Sequence, residues 1–285
     1  MKNVCTSADN TKEEGKHRRI LIRFHLINAL VFVLLLLHAF GRKIINFKEQ
    51  PRLFYVYNDG VIRVLYSSSV LHMFLCWNLA IFIFNMFVNG TYFELRHFNY
   101  VLSKIDDKDG ETLQEQLLKA IAAHGKITKT IRGLDRLYRI YAFSMIATMI
   151  PSILMTIIML SNRILSSENV LIMGLPPLLI ITYGFLGLTI SPARLYDEAY
   201  KSKTCLCLNS AIWHPYRPEI YQIALALCNH LEQPNMGVTI WGFAVMTKPL
   251  ILATFSVMAM IFSLMMELFT LREPSQSRVN STGSY

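Results

Sequence analysis

The side chains capable of chemistry are few and clustered. Cys205 and Cys207 precede Cys228 and His230, which gathers four soft ligands in one stretch. Thiolates and imidazoles hold zinc when their spacing allows a tetrahedron, but this spacing fits no standard finger, so neither metal nor cofactor is expected. The run Asp106-Asp107-Lys108-Asp109-Gly110 collects carboxylates without the ligand spacing of a calcium loop and reads as a solvated turn. His25, His38 and His72 stand in or beside apolar runs, where a polar side chain serves more often as a helix-packing contact than as a proton carrier. With no Gly-rich phosphate loop, nucleophile elbow or His-Glu-x-x-His pattern, the chain is not expected to be an enzyme. Glu267 remains, the sole acidic side chain of the last apolar stretch. A carboxylate there either snorkels to the headgroups or lines a polar path for cations.

The elements that position these groups are dictated by hydropathy. Of the 285 residues 53% are hydrophobic and 16% charged, more apolar than an ordinary globular domain. A hydrocarbon core of roughly 30 Å is crossed by about 20 apolar helical residues, and within it the backbone must satisfy its own hydrogen bonds. Five stretches qualify, at about 20–40, 64–88, 138–160, 170–190 and 242–269. The expected fold class is therefore all-α, a polytopic transmembrane helix bundle with cytoplasmic helical extensions. The first stretch follows Lys12, Lys16, Arg18 and Arg19 as a signal peptide would, but it exceeds the usual apolar length and carries no small-residue cleavage pattern. It reads as a retained span.

Lys and Arg set the orientation. Segments 1–19, 89–137 and 193–241 hold five, eight and four of them; segments 41–62, 161–167 and 270–285 hold four, one and two. The tail 1–19 and the helical loops 89–137 and 193–241 are thus expected in the cytoplasm and the tail 270–285 outside, in the cell membrane. The net charge of +9 suits anionic inner-leaflet lipid and, interleaved with spans, gives no argument for nucleic acid.

The inner loops have periodicity of their own. Leu117, Ile121, Ile127, Ile131, Leu134 and Tyr138 recur at steps near three and four, which predicts a helix entering the third span, started by the acidic turn with Glu111 in its first turn. Pro215 and Pro218 precede Ile220, Ile223, Leu227 and Leu231, one short amphipathic helix. Leu117, Ile121, Leu134, Ile223 and Leu227 are candidates for packing below the bundle or against a neighbouring subunit. Pro151, Pro176, Pro177 and Pro249 are expected to interrupt the last three spans.

The stretch Leu231-Glu232-Gln233-Pro234-Asn235-Met236-Gly237-Val238-Thr239-Ile240-Trp241-Gly242-Phe243, with Thr247-Lys248 and a final span behind it, resembles the end of the insect gustatory and odorant receptor superfamily. The nematode gustatory-receptor-like and class r serpentine receptor proteins are the nearest in character. The resemblance, which covers about 64–269, implies a ligand-gated cation channel subunit in chemosensory signalling, with a small-molecule ligand and a tetrameric homo- or hetero-oligomer anchored through cytoplasmic helices. It also implies a pore lined by the last span, with Ile261, Ser263 and Glu267 as candidates. The family has seven spans where five are read here. Its Thr-Tyr and later Gln fall on Met260, Ile261 and Glu267. The rival reading is a metabotropic receptor or a non-conducting accessory membrane protein.

Two sequons test the orientation, Asn89-Gly90-Thr91 and Asn280-Ser281-Thr282. Glycan is expected at Asn280 alone, read as a glycosidase-sensitive mass shift that Asn280→Gln removes. A shift removed instead by Asn89→Gln overturns the orientation.

Overall fold

The structure, a computed structural model, describes residues 60–106, 112–163, 169–233 and 236–281, together with Arg19, Arg23, Leu26, Ile27, Leu30 and Val33, which are helical and exposed. The rest of the expected span 20–40 lies outside the described residues, as do Asp107 to Glu111 of the acidic turn. The elements in order are α1 (Gly60–Ser103), α2 (Leu113–Arg163), α3 (Asn169–Leu208), α4 (Ser210–Trp213), α5 (Pro218–Leu231), β1 (Thr239–Ile240), β2 (Ala244–Val245) and α6 (Lys248–Ser281). Among the described residues four helices, α1, α2, α3 and α6, are long and apolar enough to cross a bilayer.

The first three are longer than crossing requires. At about 1.5 Å per residue, the 44 residues of α1 and the 51 of α2 each reach roughly twice the hydrocarbon thickness. Segments expected as inner loops are therefore mostly the same helices continued: α1 runs through 89–103, α2 begins at Leu113 and α3 persists to Leu208. No proline stands in α1 or the first half of α2, so nothing in the backbone marks the boundary. The start of α2 lies at Thr112, whose hydroxyl and carbonyl both accept from the Glu115 N–H. Thr112-Leu113-Gln114-Glu115 has the sequence of a capping box, and the acid of the first turn is Glu115 rather than Glu111.

Two further expectations shift. The last helix begins at Lys248, not 242, because residues 239–245 fold into a small antiparallel hairpin pairing Thr239 with Val245 and Ile240 with Ala244. Pro249 consequently stands in the first turn of α6 and interrupts nothing, since no carbonyl one turn earlier waits for its missing N–H. Pro151 lies inside α2, and Pro176, Pro177 and Pro192 inside α3, with each helix continuous around them. Near Pro151, the hydroxyls of Thr148, Ser152 and Thr156 each donate to the carbonyl four residues back. Such return bonds keep polar groups satisfied where no water is present.

The core is a seam between α1 and α3, closed by α2. On α1 the buried side chains Ile81, Phe84, Val88, Leu95 and Leu102 recur at three, four and seven, the stripe that faces a partner helix. Phe185, Leu188, Leu195 and Leu206 supply α3; Leu117, Ile131 and Leu134 supply α2. Small residues bring the seam together. A Cβ on Gly184 would lie 2.8 Å from the Trp77 ring and 2.9 Å from Met149 Cε; one on Gly187 would lie 2.9 Å from Asn85 Nδ2.

Polar bonds fix the register along the same seam. Ser191 Oγ donates to Asn85 Oδ1 at 2.7 Å, and Asn85 Nδ2 donates to the Ile81 carbonyl. Farther along, Ser202 Oγ donates to Asn99 Oδ1 at 2.6 Å, while Asn99 Nδ2 donates to the backbone carbonyl of Glu198 and to its carboxylate. Asn209 donates to the carbonyls of Leu102 and Ile105, closing the end of α1. A side chain at residue 184 must displace the Trp77 indole, and overpacking of this kind costs about 1–3 kcal/mol. Gly184→Leu is expected to lower the melting temperature of the detergent-solubilised protein, with partial recovery when Trp77→Ala is added. An unchanged melting temperature would show that the seam yields without cost.

Candidate functional site

Among the four spanning helices, α6 has the least cover. Only 6% of its spanning window is buried, against 44% for α3. At about 100° per residue, its half-buried and buried positions, Thr254, Met258, Ile261, Phe262, Met265 and Met266, share one side, and Ser256, Ser263 and Glu267 line up on the exposed side. Ser256 Oγ returns to the Leu252 carbonyl, so its lone pairs face outward with the proton already placed. Leu252, Met260 and Leu264 are exposed beside this line. Of the three pore candidates, Ser263 and Glu267 thus fall together. Ile261 points the other way, packed against the core, because positions 261 and 263 are about 200° apart around a helix.

The amino-terminal end of α6 is held by charge and by the hairpin. Lys248 Nζ lies 2.6 Å from Asp197 Oδ2 on α3. Asp135 Oδ1 on α2 accepts from the backbone N–H and the hydroxyl of Thr239, at 2.6 and 2.7 Å. The Trp241 N–H donates to the Arg139 carbonyl, and its ring meets Phe143 edge-on at 4.7 Å. Trp241 and Gly242 have φ of 52° and 83°, the left-handed turn that a tight hairpin needs; glycine takes it without steric cost. An open apolar cleft of about 270 Å³ lies between α3 and α6, lined by Ile190, Arg194, Ile251, Leu252 and Phe255 among others.

Below the spans, α5 packs on α2 and α3. Leu117, Leu134 and Leu227 are buried within the single chain, with Ile121 and Ile223 half-buried against them. These five fasten α5 and the lower half of α2 to the core, so charging the buried three would break the fold before it tested assembly. The outer face of α5 instead presents Tyr221 and Leu225, with Tyr216 just before it.

The same contact brings together two histidines that sequence reasoning left apart. His124 on α2 and His230 on α5 place their Nδ1 atoms 2.8 Å apart; Thr128 Oγ1 lies 3.5 Å from His124 Nδ1, and the Phe98 ring lies tilted against the His124 ring at 5.5 Å. Burial, then the neighbouring His230, lowers the pKa of His124 from 6.5 to about 4. Cys205, Cys207, Cys228 and His230 do not converge as zinc ligands, and no group of three or more metal-binding side chains occurs among the described residues. Asn89 is half-buried in α1 and Thr91 is buried, its hydroxyl bonded to the Phe87 carbonyl; the side chain of Asn280 is outside the described residues.

These features define a multi-pass α-helical membrane protein whose spans extend into a helical base on one side of the bilayer, with its last helix laid against the outside of the bundle. Among solved structures this is the fold of an insect olfactory receptor. The chain superposes on the olfactory receptor OR5 from Machilis hrabei with a TM-score of 0.67 at 12% identity, over 88% of this chain and 67% of the receptor. The same receptor in complex with eugenol gives a TM-score of 0.64 at 12% identity, over 88% and 66%. The chain therefore spans about two thirds of that receptor's length, and the fold implied by the sequence resemblance is the one found. No family model and no curated protein sequence matches it.

The histidine pair carries a pH prediction. A folded-state pKa below the unfolded value means that the unfolded chain binds the extra proton, so the stabilisation is complete above pH 6.5 and is lost as pH falls toward 4. The loss is on the order of 3 kcal/mol at most. Melting curves from pH 7.5 to 4 are expected to steepen below 6.5 in the wild type and less in His124→Leu. Equal acid sensitivity of the two proteins would count against the pair.

Proposed function

We propose that the chain is a subunit of a ligand-gated cation channel of the chemoreceptor type, with its amino end inside and its carboxyl end outside. The observation that carries this reading is the exposed side of α6, where Ser256, Ser263 and Glu267 form a polar line on a helix that the single chain leaves uncovered. An ionised carboxylate in hydrocarbon costs roughly 2.5 kcal/mol or more at a span's centre. Copies of α6 gathered around a common axis would turn that line toward water. Rings of carboxylates concentrate cations at a pore mouth, and the flanking Leu252, Met260 and Leu264 supply an apolar constriction that gates by dewetting.

The solved receptor of like fold has been captured with eugenol, which supports a small organic molecule as the ligand class for this chain. Lipid is its solvent, and the oligomer is the assembly that α6 requires. The outer face of α5, with Tyr216, Tyr221 and Leu225, is the surface we assign to neighbouring subunits, since tyrosines in such positions give apolar contact with a polar end.

Glu267→Gln keeps the shape and removes the charge. In a conducting complex it is expected to change divalent permeation or block at unchanged surface expression, read by reversal potentials in bi-ionic solutions. Unaltered selectivity at normal surface levels would remove Glu267 from the ion path. Absence of any ligand-evoked current with every candidate partner would favour the non-conducting accessory role.

A further inference from the structure

The contact between the end of α3 and α5 contains a second constellation, independent of the ion path. Lys203 and Cys207 lie one turn apart on α3, and Cys228 and Glu232 one turn apart at the end of α5, so each pair shares a helix face. The two faces meet. Lys203 Nζ is ion-paired with Glu232, and this bond lifts the lysine pKa above its usual value. One turn farther along each helix from that ion pair, Cys207 and Cys228 are neighbours across the helix contact. The thiols thus meet at a register that a cross-helix ion pair sets.

We propose that Cys207 and Cys228 form a redox modification site, a dithiol that closes to an intrachain disulfide and fastens α5 to the end of α3. The oxidant class is a hydroperoxide. Cys207 is exposed and Cys228 half-buried, so Cys207 is the sulfur that peroxide reaches first. Its thiolate attacks a peroxide oxygen, breaks the O–O bond and becomes a sulfenic acid as hydroxide leaves and takes up a proton. The Cys228 sulfur then attacks the sulfenic sulfur, giving up its proton and expelling hydroxide, which depart together as water. In sum, two thiols lose two protons and two electrons, and one hydrogen peroxide becomes two waters.

Neighbouring groups select this pair. Cys205 is half-buried on a different side of α3, packed against the core beside Glu198 and Lys201, and faces no thiol among the described residues. No third metal-binding side chain is grouped with these two thiols among the described residues. Burial, followed by the nearby Cys207, raises the Cys228 pKa. Since the thiolate is the nucleophile, closure accelerates as pH rises.

The test uses the full chain in isolated membranes, reads thiols rather than current, and so stands or falls separately from the channel reading. Membranes are treated with hydrogen peroxide, blocked with N-ethylmaleimide, and digested without reduction for mass spectrometry. The expected result is a disulfide-linked peptide pair carrying Cys207 and Cys228, formed several-fold faster at pH 8.5 than at pH 6.5. Cys207→Ser should leave Cys228 alkylatable, Cys228→Ser should leave Cys207 without its partner, and Cys205→Ser should change nothing. Recovery of Cys207 and Cys228 as separately alkylated peptides from peroxide-treated wild-type membranes overturns the proposal. So does a linkage of either one to Cys205 or to another subunit. The wild-type measurement needs no variant to fold.

Discussion

Everything in this molecule depends on the close approach of α1 and α3. In lipid, apolar helices gain little by leaving the acyl chains for one another, and association rests on packing and on interhelical hydrogen bonds. Gly184 and Gly187 let the backbones come near enough for the Trp77 indole and the Asn85 amide to lie against α3. Asn85 with Ser191, and Asn99 with Ser202 and Glu198, then hold one register over more than three turns of helix. A one-residue slip would strand several buried polar groups together, and each unsatisfied group costs about 1–3 kcal/mol. The seam is therefore specified as well as stable.

That specification reaches the other elements through α2. Asp135 receives both donors of Thr239, so the hairpin before α6 is seated on the helix that the seam already places. Lys248 and Asp197 add a second tie from α6 to α3. The last helix is thus fastened at its amino-terminal end and sparsely covered beyond it. An element with few buried contacts is where low-cost motion concentrates, and on this chain that element is also the one with the polar line.

Much of this was legible in the amino-acid order because hydropathy and period speak directly about burial. The helix predicted from Leu117 to Tyr138 into the third span is one continuous α2, and the short helix opened by Pro218 ends at Leu231 as its periodicity suggests. Boundaries were less legible. Thr239 to Val245 reads as apolar as a span's beginning, and only the tertiary bonds to Asp135 and Arg139 reveal a hairpin. Ile261 was grouped with Ser263 by a resemblance that gives no rotation, whereas the helix period alone separates them. Asn85 is a polar residue in an apolar run, but Asn99, Ser202, His124 and His230 acquire meaning only from partners about a hundred residues away. Pairings of that kind leave no local pattern.

The unbroken length of the first three helices has one more consequence. In α1 and α2 a span and its extension share a single stiff rod, with no proline between them, so each behaves as a lever whose arms lie on opposite sides of one membrane surface. At about 1.5 Å per residue, a tilt of about 5° pivoting near residue 88 carries the end of the 89–103 arm of α1 through roughly 2 Å. Small rotations among the spanning halves are delivered, reversed in direction, to the base where α5 and the hairpin sit.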